Sequence, residues 1–402
     1  MKKNIPSVEP LPLAIGISDI EQMTEASAMM VQAVRAHMFA PENRKKAPSF
    51  SATDLCIINK ITRARFQYFL KKFPDLPRGT IKGNRLEFSP GEAIQWNRQI
   101  TPDKFRNPKL NCAVTIAVVN FKGGVTKTTT VVTLAQGLAL RGHKVLVVDM
   151  DPQGSATTLC GILPSIDVEE GKTALPIYEG TESSLDFAIR PTYWEGLDLV
   201  PAANEMHQAE FLVPSRQIKE ANFEFWTLLD RALDSARDKY DVILIDSPPS
   251  LSYTTVNAIM AADGLIMPLP PSALDFASSA QFWELLLETM KAFQGRGNKA
   301  EKRFNFIDVL LSRVDNRVGV SSNVRDWIIR SFGAKLLPVE IPRTSIADTA
   351  SAGFGTVYDT QQNDSIAKTL KRAKDAYEAM VEHVERQIQG VWIALADSSG
   401  QK

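Results

Sequence analysis

The chain has 402 residues, of which 44% are hydrophobic and 23% charged, and its formal net charge is zero. These values describe an ordinary soluble globular protein that is long enough for two or three domains. No stretch approaches the roughly 20 consecutive apolar residues of a membrane span, and the start of the chain makes a poor secretory signal. The three cysteines share no C-x-x-C spacing, which argues against a disulfide framework and a zinc site. We therefore expect a cytoplasmic protein that does not bind membranes.

The charges are unevenly distributed along the chain. Residues 41–110 contain 15 lysines and arginines but only six aspartates and glutamates, an excess of nine positive charges that the remaining residues cancel. This asymmetry suggests a basic module fused to an acidic one, and nucleic acid is the usual partner of a basic module. A merely well-solvated surface is the alternative interpretation.

Residues 1–47 are predicted to form a loose tail followed by a helix. Ser18 and Glu21 have the spacing of a capping box, and we expect the helix to run from there to about Met38. One face of this helix is formed by Ile20, Met23, Ser27, Met30, Val31 and Val34. An apolar face outside any domain core usually packs on something, so the helix is predicted to dimerise with a second copy of the chain.

Residues 48–109 are predicted to form the basic module. Ser51 and Thr62 are expected to begin two consecutive helices, the second reaching Phe73, and Gly83-Asn84 is expected to turn a hairpin. Ser89, Pro90 and Glu92 then open a third helix with a capping box. The apolar residues expected to face inward in the first two helices are Leu55, Ile58, Ile61, Phe66, Phe69 and Leu70.

This order of elements is typical of a winged helix-turn-helix in which helix 62–73 contacts the DNA. The candidate DNA-binding residues are Arg63, Arg65, Gln67 and Lys71 on that helix, with Lys82 and Arg85 at the hairpin tip. A small protein-interaction domain of the same shape remains the alternative.

Residues 110–402 have a different pattern. Seven apolar runs alternate with helical stretches, and runs without polar alternation indicate strands that are buried on both faces. These runs are VTIAVV, KVLVVDM, LDLVPA, DVILIDS, GLIMPLP, FIDVLLS and KLLPVEI. The sequence therefore predicts an α/β domain with a parallel sheet flanked by helices, closed by a long helix around 364–389.

The first of these runs is followed by FKGGVTKTTT, residues 121–130. A phosphate-binding loop normally reads G-x-x-x-x-G-K-[ST], and Lys127-Thr128 supplies its ending. Phe121 and Thr126 occupy the two glycine positions, and Lys122 is an additional lysine. Strand, glycine-rich turn and helix form the context of a phosphate site, in which Lys127 would bind phosphates and Thr128 would bind Mg²⁺. The candidate nucleotide-binding residues are Gly123, Gly124, Val125, Thr126, Lys127, Thr128 and Thr129. A structural turn with two stray lysines is the alternative.

Two further strands end in carboxylates. Asp149 and Asp151 follow one run, and Asp246 ends another. The carboxyl ends of parallel strands meet at one edge of the sheet, and carboxylates beside a phosphate loop suit Mg²⁺ coordination and the positioning of water. A capping role is the alternative for any one of them.

These motifs together resemble the ParA/MinD group of ATPases. The resemblance rests on K-G-G-x-x-K-[ST]-T, DMDPQGS and IDSPPSL, and it covers about residues 112–390. It implies a P-loop NTPase fold with a deviant Walker A loop, and ATP and Mg²⁺ as cofactors. The N-terminal helix and DNA-binding module resemble those of the long ParA proteins, which segregate low-copy plasmids and some secondary chromosomes.

The resemblance also implies roles for particular residues. Lys122 would cross to the phosphates of a partner subunit, Asp151 would position the attacking water, and Asp149 would support the magnesium shell. Asp246 would hold Mg²⁺ through water. The SPPS segment after Asp246 would be the switch segment, which responds to the γ-phosphate. Pro342 and Arg343 would form the adenine-side loop, although Arg343 can equally be a surface arginine.

The predicted function is therefore an ATP-driven, nucleoid-associated DNA-segregation ATPase. The resemblance implies an ATP-dependent homodimer that binds DNA non-specifically, is stimulated by a ParB-like protein and represses its own operon through the winged module. The non-specific DNA surface, or else a solvated helix face, is formed by Arg317, Arg325, Arg330 and Lys335. A nucleotide-gated transcriptional regulator is the main alternative. A MinD-type membrane protein is less favoured, since VWIALADSSGQK follows no basic amphipathic helix, and an iron-protein reductase would need cluster cysteines.

Overall fold

The computed structural model describes residues 16–38, 44–83, 85–294, 302–315, 320–343, 355–360 and 367–399. The chain divides into two compact units, one within residues 1–45 and one within residues 46–402. Of the helices in these described ranges, none combines the length and the hydrophobicity that a membrane span requires.

The described residues of the first unit form one helix, α1, Ile17–Met38. The Gly16 N–H donates to the Asp19 carboxylate at 2.7 Å, so the helix begins one residue before Ser18, and the predicted pairing of Ser18 with Glu21 is wrong. Its exposed apolar residues are Ile17, Ile20, Met23, Met29, Met30 and Val31. The side chain of Val34 lies outside the described residues. Dimerisation through this face stays a prediction.

The second unit starts with the basic module. Its elements are β1 (Phe50–Ser51), α2 (Ala52–Ile58), α3 (Arg63–Lys72), β2 (Thr80–Lys82), β3 (Arg85–Phe88) and α4 (Pro90–Ile100). All three helices begin where the caps predicted: Ser51 and Ser89 form complete capping boxes, and the Thr62 hydroxyl accepts from the Arg65 N–H. Strand β3 pairs with both β1 and β2, antiparallel in each case. The two-residue β1 is too short to have a sequence pattern and was not predicted, and Asn84 lies outside the described residues.

The α/β domain contains one eight-stranded sheet. Its strands are β4 (Val114–Val118), β5 (Val145–Asp149), β6 (Arg190–Pro191), β7 (Leu197–Val200), β8 (Val242–Asp246), β9 (Gly264–Leu269), β10 (Phe306–Val314) and β11 (Leu336–Pro342). They lie in the order β11-β10-β9-β4-β8-β5-β7-β6, and every neighbouring pair is parallel except β6 with β7. The seven predicted strands are confirmed, whereas the two-residue edge strand β6 was not predicted.

Helices cover both faces of this sheet. They are α5 (Lys127–Leu140), α6 (Ser155–Leu159), α7 (Leu175–Glu179), α8 (Ala209–Lys219), α9 (Leu228–Ala232), α10 (Asp234–Lys239), α11 (Tyr253–Ala261), α12 (Ala273–Gln294), α13 (Val320–Phe332) and α14 (Ala367–Ser399). Short 3₁₀ turns occur at Pro102–Lys104, Asn204–Gln208, Phe225–Thr227 and Gly333–Lys335. In β4, Ile116 packs into the core that contains α5 and α14, while Ala117 packs into the core on the opposite face. Both faces are thus buried, which is why the strands have no polar alternation.

The last helix is longer than predicted. α14 continues to Ser399 instead of ending near residue 389. Val391 and Trp392 are buried in the core, and the Trp392 indole N–H donates to the Cys112 carbonyl at 3.2 Å. The apolar face of the helix therefore extends beyond the predicted end near residue 389.

The basic module and the α/β domain share one continuous core within the second unit. The Asn97 amide donates to the Leu140 carbonyl at the end of α5, at 2.8 Å. Arg98 and Arg106 both contact the carboxylate of Asp241 at 3.3 Å. Because Arg106 and Asp241 are buried, these contacts hold the module in a defined orientation against the C-terminal end of α5, the end away from Lys127.

Candidate functional site

The site is built at the carboxyl end of β4, in the centre of the sheet. Residues 119–126 connect this strand to α5, and the backbone adopts left-handed conformations at Gly124 (φ +74°) and Thr126 (φ +76°). A left-handed conformation is easy for glycine and unfavourable for a β-branched residue. The loop thus reaches its conformation with one strained residue, and it leads directly into the N-terminus of a 14-residue helix, a favourable place for an anion.

Lys127 is buried at the first position of α5 and points back over the loop. Its ammonium donates to the Lys122 carbonyl at 3.0 Å. Burial lowers the pKa of Lys127, and the nearby carboxylates of Asp246 and Asp151 partly oppose this shift. The geometry places a buried cation where the loop pattern predicts a phosphate.

Asp149 and Asp246 lie side by side at the ends of adjacent strands β5 and β8, in register with each other. The Asp149 carboxylate accepts from the Thr157 N–H at 2.8 Å, from the Thr157 hydroxyl at 2.7 Å and from the Asp151 N–H at 3.1 Å. Burial raises the pKa of Asp149 to about 7, although the Thr157 hydrogen bonds counteract part of the shift. The hydrogen bonds that the Asp149 carboxylate accepts from Thr157 therefore fix the start of α6 beside β5.

Asp246 has a different environment. Burial raises its pKa well above the ordinary value, and the neighbouring Asp149 carboxylate raises it further. The Thr128 hydroxyl is close enough to lower this pKa, but neither carboxylate oxygen has a partner at hydrogen-bonding geometry among the described residues. A buried carboxylate without hydrogen-bond partners is energetically costly. The unpaired oxygens of Asp246 are the kind of ligand that a divalent cation takes.

The described residues contain no group of three or more His, Cys, Asp or Glu that could hold a metal ion by itself. Mg²⁺ typically takes one or two protein carboxylates and completes its shell with water and substrate phosphates. Asp246 and Thr128, next to the phosphate loop, fit that manner of binding. Cys56, Cys112 and Cys160 form no disulfide with one another.

Asp151 follows Asp149 and is half-buried. Its carboxylate accepts from the Gln153 N–H at 3.0 Å, and it is near enough to Lys127 and Asp246 to affect the pKa of both. The segment after β8 also contacts the site: the Ser247 hydroxyl donates to the Val118 carbonyl at 2.8 Å. The predicted strand-end carboxylates and the switch segment are thus brought together around the loop.

Lys122 points away from this group. Its ammonium lies 2.8 Å from the carboxylate of Asp275 in α12, and its side chain is 39% exposed. The adjacent cavity has a volume of about 370 Å³ and is lined by residues 122–125, by the segment from Pro270 to Asp275 and by Arg313, Asp315 and Arg343. Arg343 therefore faces the cavity beside the loop, and Pro342 ends β11 next to it.

Sequence reasoning missed Asp275, Ser312, Arg313 and Asp315. The strand-end rule that identified Asp149 and Asp246 also applies to SRVD, which ends β10, so this motif could have been found. Asp275 has no such signal, because its importance arises only from its contact with Lys122.

The candidate DNA-binding residues lie elsewhere in the second unit. Arg63, Arg65, Gln67, Lys71, Lys82 and Arg85 are all exposed. Arg325 pairs with Glu340, Arg330 and Lys335 are exposed, and Arg317 lies outside the described residues.

Known proteins are similar to this chain over the region that contains the site. A family model described as an AAA domain matches residues 113–301. The chain is 32% identical to protein SopA of Escherichia coli K12 over 271 residues, 67% of this chain and 69% of SopA. It is 36% identical to the sporulation initiation inhibitor protein Soj of Bacillus subtilis over 231 residues, 57% of this chain and 83% of Soj.

Two solved structures are also similar. A cobyrinic acid a,c-diamide synthase of Mycobacterium smegmatis, solved with a bound ATP analog and magnesium, has a TM-score of 0.52 and 27% identity, covering 68% of this chain and 94% of that one. A structure described as a partition protein has a TM-score of 0.63 and 20% identity, and covers 92% of this chain and 98% of that one. The latter likeness extends the shared fold to most of the chain. With the loop, the strand-end carboxylates and the SopA match together, the chain belongs to the ParA family of P-loop proteins.

Proposed function

We propose that this protein is an ATP-dependent partition ATPase that segregates plasmid or chromosomal DNA. The observation that most supports its nucleotide chemistry is Asp246, beside Lys127 and Thr128 at the end of the phosphate loop. This buried carboxylate has no partner at hydrogen-bonding geometry among the described residues. A magnesium nucleotide would supply both missing charges, a cation for Asp246 and an anion for Lys127. The similar synthase from M. smegmatis contains an ATP analog and magnesium at its own site.

Residues 123–129 of the loop would hold the phosphates of a nucleotide, and Lys127 would exchange the Lys122 carbonyl for a phosphate oxygen. This exchange would replace a neutral acceptor by an anionic one, which adds a direct attraction between opposite charges to the hydrogen bond. A phosphate would also stabilise the charged form of Lys127, which burial disfavours. Arg343 lines the cavity and Pro342 precedes it at the end of β11, and we propose that these two residues form the adenine side of the nucleotide site.

Thr128 and Asp246 would hold Mg²⁺, Asp246 through water, and Asp149 would support that shell from the neighbouring strand. When bound, the metal neutralises charge on the phosphates. Asp151 is half-buried and close to the same group, so it is our candidate to position the attacking water. Its carboxylate has only one described hydrogen bond to the backbone, from Gln153, which leaves the other oxygen for this role.

We propose that Lys122 contacts the phosphates of a partner subunit in an ATP-bound homodimer. A charge pair at 4 Å contributes up to about 4 kcal/mol at an effective dielectric constant near 20, before desolvation. Because twofold symmetry makes the contact twice, it makes dimerisation strongly dependent on ATP. Lys122 has to leave Asp275 for this contact to form. The apolar face of α1 is proposed as a second dimer contact.

We propose that the basic module is a winged helix-turn-helix that binds an operator and thereby represses the protein's own operon. Helix α3 presents Arg63, Arg65, Gln67 and Lys71, and the hairpin presents Lys82 and Arg85. Exposed Arg330 and Lys335, together with Arg325, are proposed for weaker, non-specific binding to nucleoid DNA. A ParB-like protein is the proposed stimulating partner, and the cytoplasm the proposed location.

One observation favours the alternative of a nucleotide-gated transcriptional regulator. The basic module contacts the end of α5 directly through Asn97 and Leu140, and α5 begins at the phosphate loop. α5 therefore connects the loop, at its N-terminus, to the operator-binding module, at its C-terminus.

The deciding experiment is the ATPase rate with and without DNA and the ParB-like protein. A partition ATPase is expected to be stimulated by both together, whereas a regulator that hydrolyses ATP only to reset operator binding is not. Lys127→Ala should abolish tight ATP binding. Lys122→Ala should bind ATP but lose hydrolysis. If this variant hydrolyses ATP at the rate of the wild type, the cross-subunit role is refuted.

A further inference from the structure

The end of β10 is attached to the phosphate loop by two consecutive side chains. The Arg313 guanidinium donates through Nη1 to the Gly124 carbonyl at 2.9 Å. The Ser312 hydroxyl donates to the Val125 carbonyl at 3.1 Å. Two successive residues of one strand thus hold two successive carbonyls of a loop that lies 187 to 189 residues away in sequence.

This arrangement requires an unusual backbone. In a regular strand, consecutive side chains point to opposite faces, so Ser312 and Arg313 could not both reach the same loop. Arg313 has φ +52°, a conformation that non-glycine residues rarely adopt, and the pairing of β10 with β11 is irregular between Leu311 and Val314. A left-handed arginine at the end of a strand is the kind of backbone outlier that concentrates at functional sites.

The geometry of the peptide unit shows what the two contacts do. In a trans peptide, the C=O of one residue and the N–H of the next point in opposite directions. When Gly124 and Val125 turn their carbonyls toward β10, the N–H groups of Val125 and Thr126 turn the other way, away from β10. In a phosphate loop the backbone N–H groups are the groups that bind phosphate oxygens.

We propose that Arg313 and Ser312 are positioning residues that orient the backbone amides of the phosphate loop for a nucleotide diphosphate or triphosphate. The inference rests on the proposed nucleotide-binding function and adds two residues that act through the loop. Arg313 has the larger role, because its donor is charged and because it also lines the 370 Å³ cavity with Lys122 and Arg343.

The test uses the full chain with Mg²⁺ and measures the Kd of ATP, ADP and AMP, and the kcat and KM of hydrolysis. Arg313→Ala is expected to raise the Kd of ATP and of ADP about tenfold, equivalent to about 1.4 kcal/mol, with kcat changed less than twofold. The Kd of AMP should change little, because AMP lacks the phosphates that the loop binds. Arg313→Lys, which keeps a cationic donor, should recover part of the affinity.

Arg313→Gly separates the side chain from the backbone. Glycine adopts the left-handed conformation easily, so this variant should be at least as thermally stable as Arg313→Ala but should lose the same affinity. Arg231→Ala is the matched control, since Arg231 is an exposed arginine paired with Glu224, far along the chain from the loop. If Arg313→Ala does not fold, Ser312→Ala tests the positioning role instead. It is expected to raise the Kd of ATP and of ADP about threefold.

The outcomes distinguish this inference from the proposed function. Wild-type protein that binds no nucleotide would refute the proposed function itself. Wild-type binding with unchanged ATP and ADP affinity in the Arg313→Ala, Arg313→Gly and Ser312→Ala variants would overturn the positioning role. Lower thermal stability in these variants, without a change in Kd, would equally overturn it.

Discussion

At the scale of single residues, Thr126 has a side chain that does not suit the backbone conformation of the phosphate loop. A β-branched residue at φ +76° costs about 1–2 kcal/mol. Its hydroxyl is buried without a hydrogen-bond partner among the described residues. The side chain therefore adds strain to the loop, and no described contact compensates for it.

Thr126→Gly should consequently stabilise the nucleotide-free protein. Relief of strain outweighs the extra chain entropy of glycine, and we expect the free energy of unfolding to rise by up to about 1 kcal/mol. Urea denaturation measures this change. Gly124 also has a left-handed backbone, at φ +74°, and Gly124→Ala is the control that should destabilise. A lower stability in Thr126→Gly would show that the threonine makes a favourable contact that outweighs its strain.

The carboxylates of Asp149 and Asp246 predict a pH dependence. Burial raises the pKa of Asp149 from its ordinary value of 3.8 to about 7, and it also raises the pKa of Asp246. The folded state therefore binds more protons than the unfolded state between these values, so the contribution of this pair to stability falls as the pH rises from about 4 through 7. Asp246→Asn removes one of the two charges.

In metal-free, nucleotide-free protein, Asp246→Asn should gain thermal stability over the wild type, and the gain should grow between pH 5 and pH 8. With Mg²⁺ and ATP at pH 8, the wild type should be stabilised and the variant should not. Thermal unfolding at several pH values measures both effects. A difference in melting temperature that is the same at pH 5 and pH 8 would contradict the assignment of raised pKa values to this pair.

At the scale of elements, helix α12 and the phosphate loop are connected by one ion pair. Ser272 caps the start of α12, where its hydroxyl accepts from the Asp275 N–H at 3.3 Å, and the Asp275 carboxylate holds Lys122 at 2.8 Å. Because Lys122 is partly exposed, the pair is worth about 0.2–1 kcal/mol. This contact competes with the proposed contact of Lys122 across a dimer.

Asp275→Asn should therefore favour the ATP-bound dimer. Asparagine is also compatible with helix starts but cannot pair with an ammonium, so we expect dimer affinity to increase about twofold to fivefold with a non-hydrolysable ATP analog. Sedimentation velocity measures the dimer. Glu340→Gln, which breaks the exposed pair with Arg325, is the control that should leave dimerisation unchanged. Unchanged or weaker dimerisation in Asp275→Asn would show that this ion pair does not restrain Lys122.

At the scale of the whole molecule, the basic module and the α/β domain are not independent bodies. They share a core that includes Phe50, Trp96 and Leu138, and Arg106 is buried against Asp241 between them. Removal of residues 1–108 would expose this core, which makes such a truncation an unsuitable test of DNA binding. We expect residues 46–402 to unfold in a single cooperative transition, as measured by calorimetry and by two spectroscopic probes. Two separate transitions would show that the shared core does not couple the domains.

Point substitutions test DNA binding without disturbing that core. Arg63 and Arg65 are exposed, and their guanidinium groups lie 5.6 and 5.5 Å from the rings of Phe66 and Phe69. Changing both to alanine should cost at most about 1 kcal/mol per site in stability. The operator footprint should be lost, while DNA-stimulated ATP hydrolysis should continue. A footprint that survives the double substitution would mean that α3 does not contact the operator bases.

Local patterns were sufficient to predict most of the elements. Buried strands appear in the sequence as continuous apolar runs, and helix starts appear as capping residues. Both patterns depend only on neighbouring residues in the chain. The same locality identified the phosphate loop and the carboxylates that end β5 and β8. The two-residue strands β1 and β6 were missed since two residues contain no periodicity, and α14 was predicted too short because its last apolar turns follow a glycine-containing stretch, QGVW.

The sequence by itself thus determined the α/β class, the order of its strands along the chain, the phosphate loop and the family. Only the tertiary structure decided that Lys122 pairs with Asp275, that Arg313 and Ser312 hold the loop carbonyls, and that the basic module packs on α5. Each of these contacts joins residues that are far apart in sequence. It exists because β9 pairs with β4 and β10 pairs with β9 in the sheet, or because a helix end meets another domain. Sheet order and domain docking follow from the packing of all the elements together, and no short stretch of sequence contains that information.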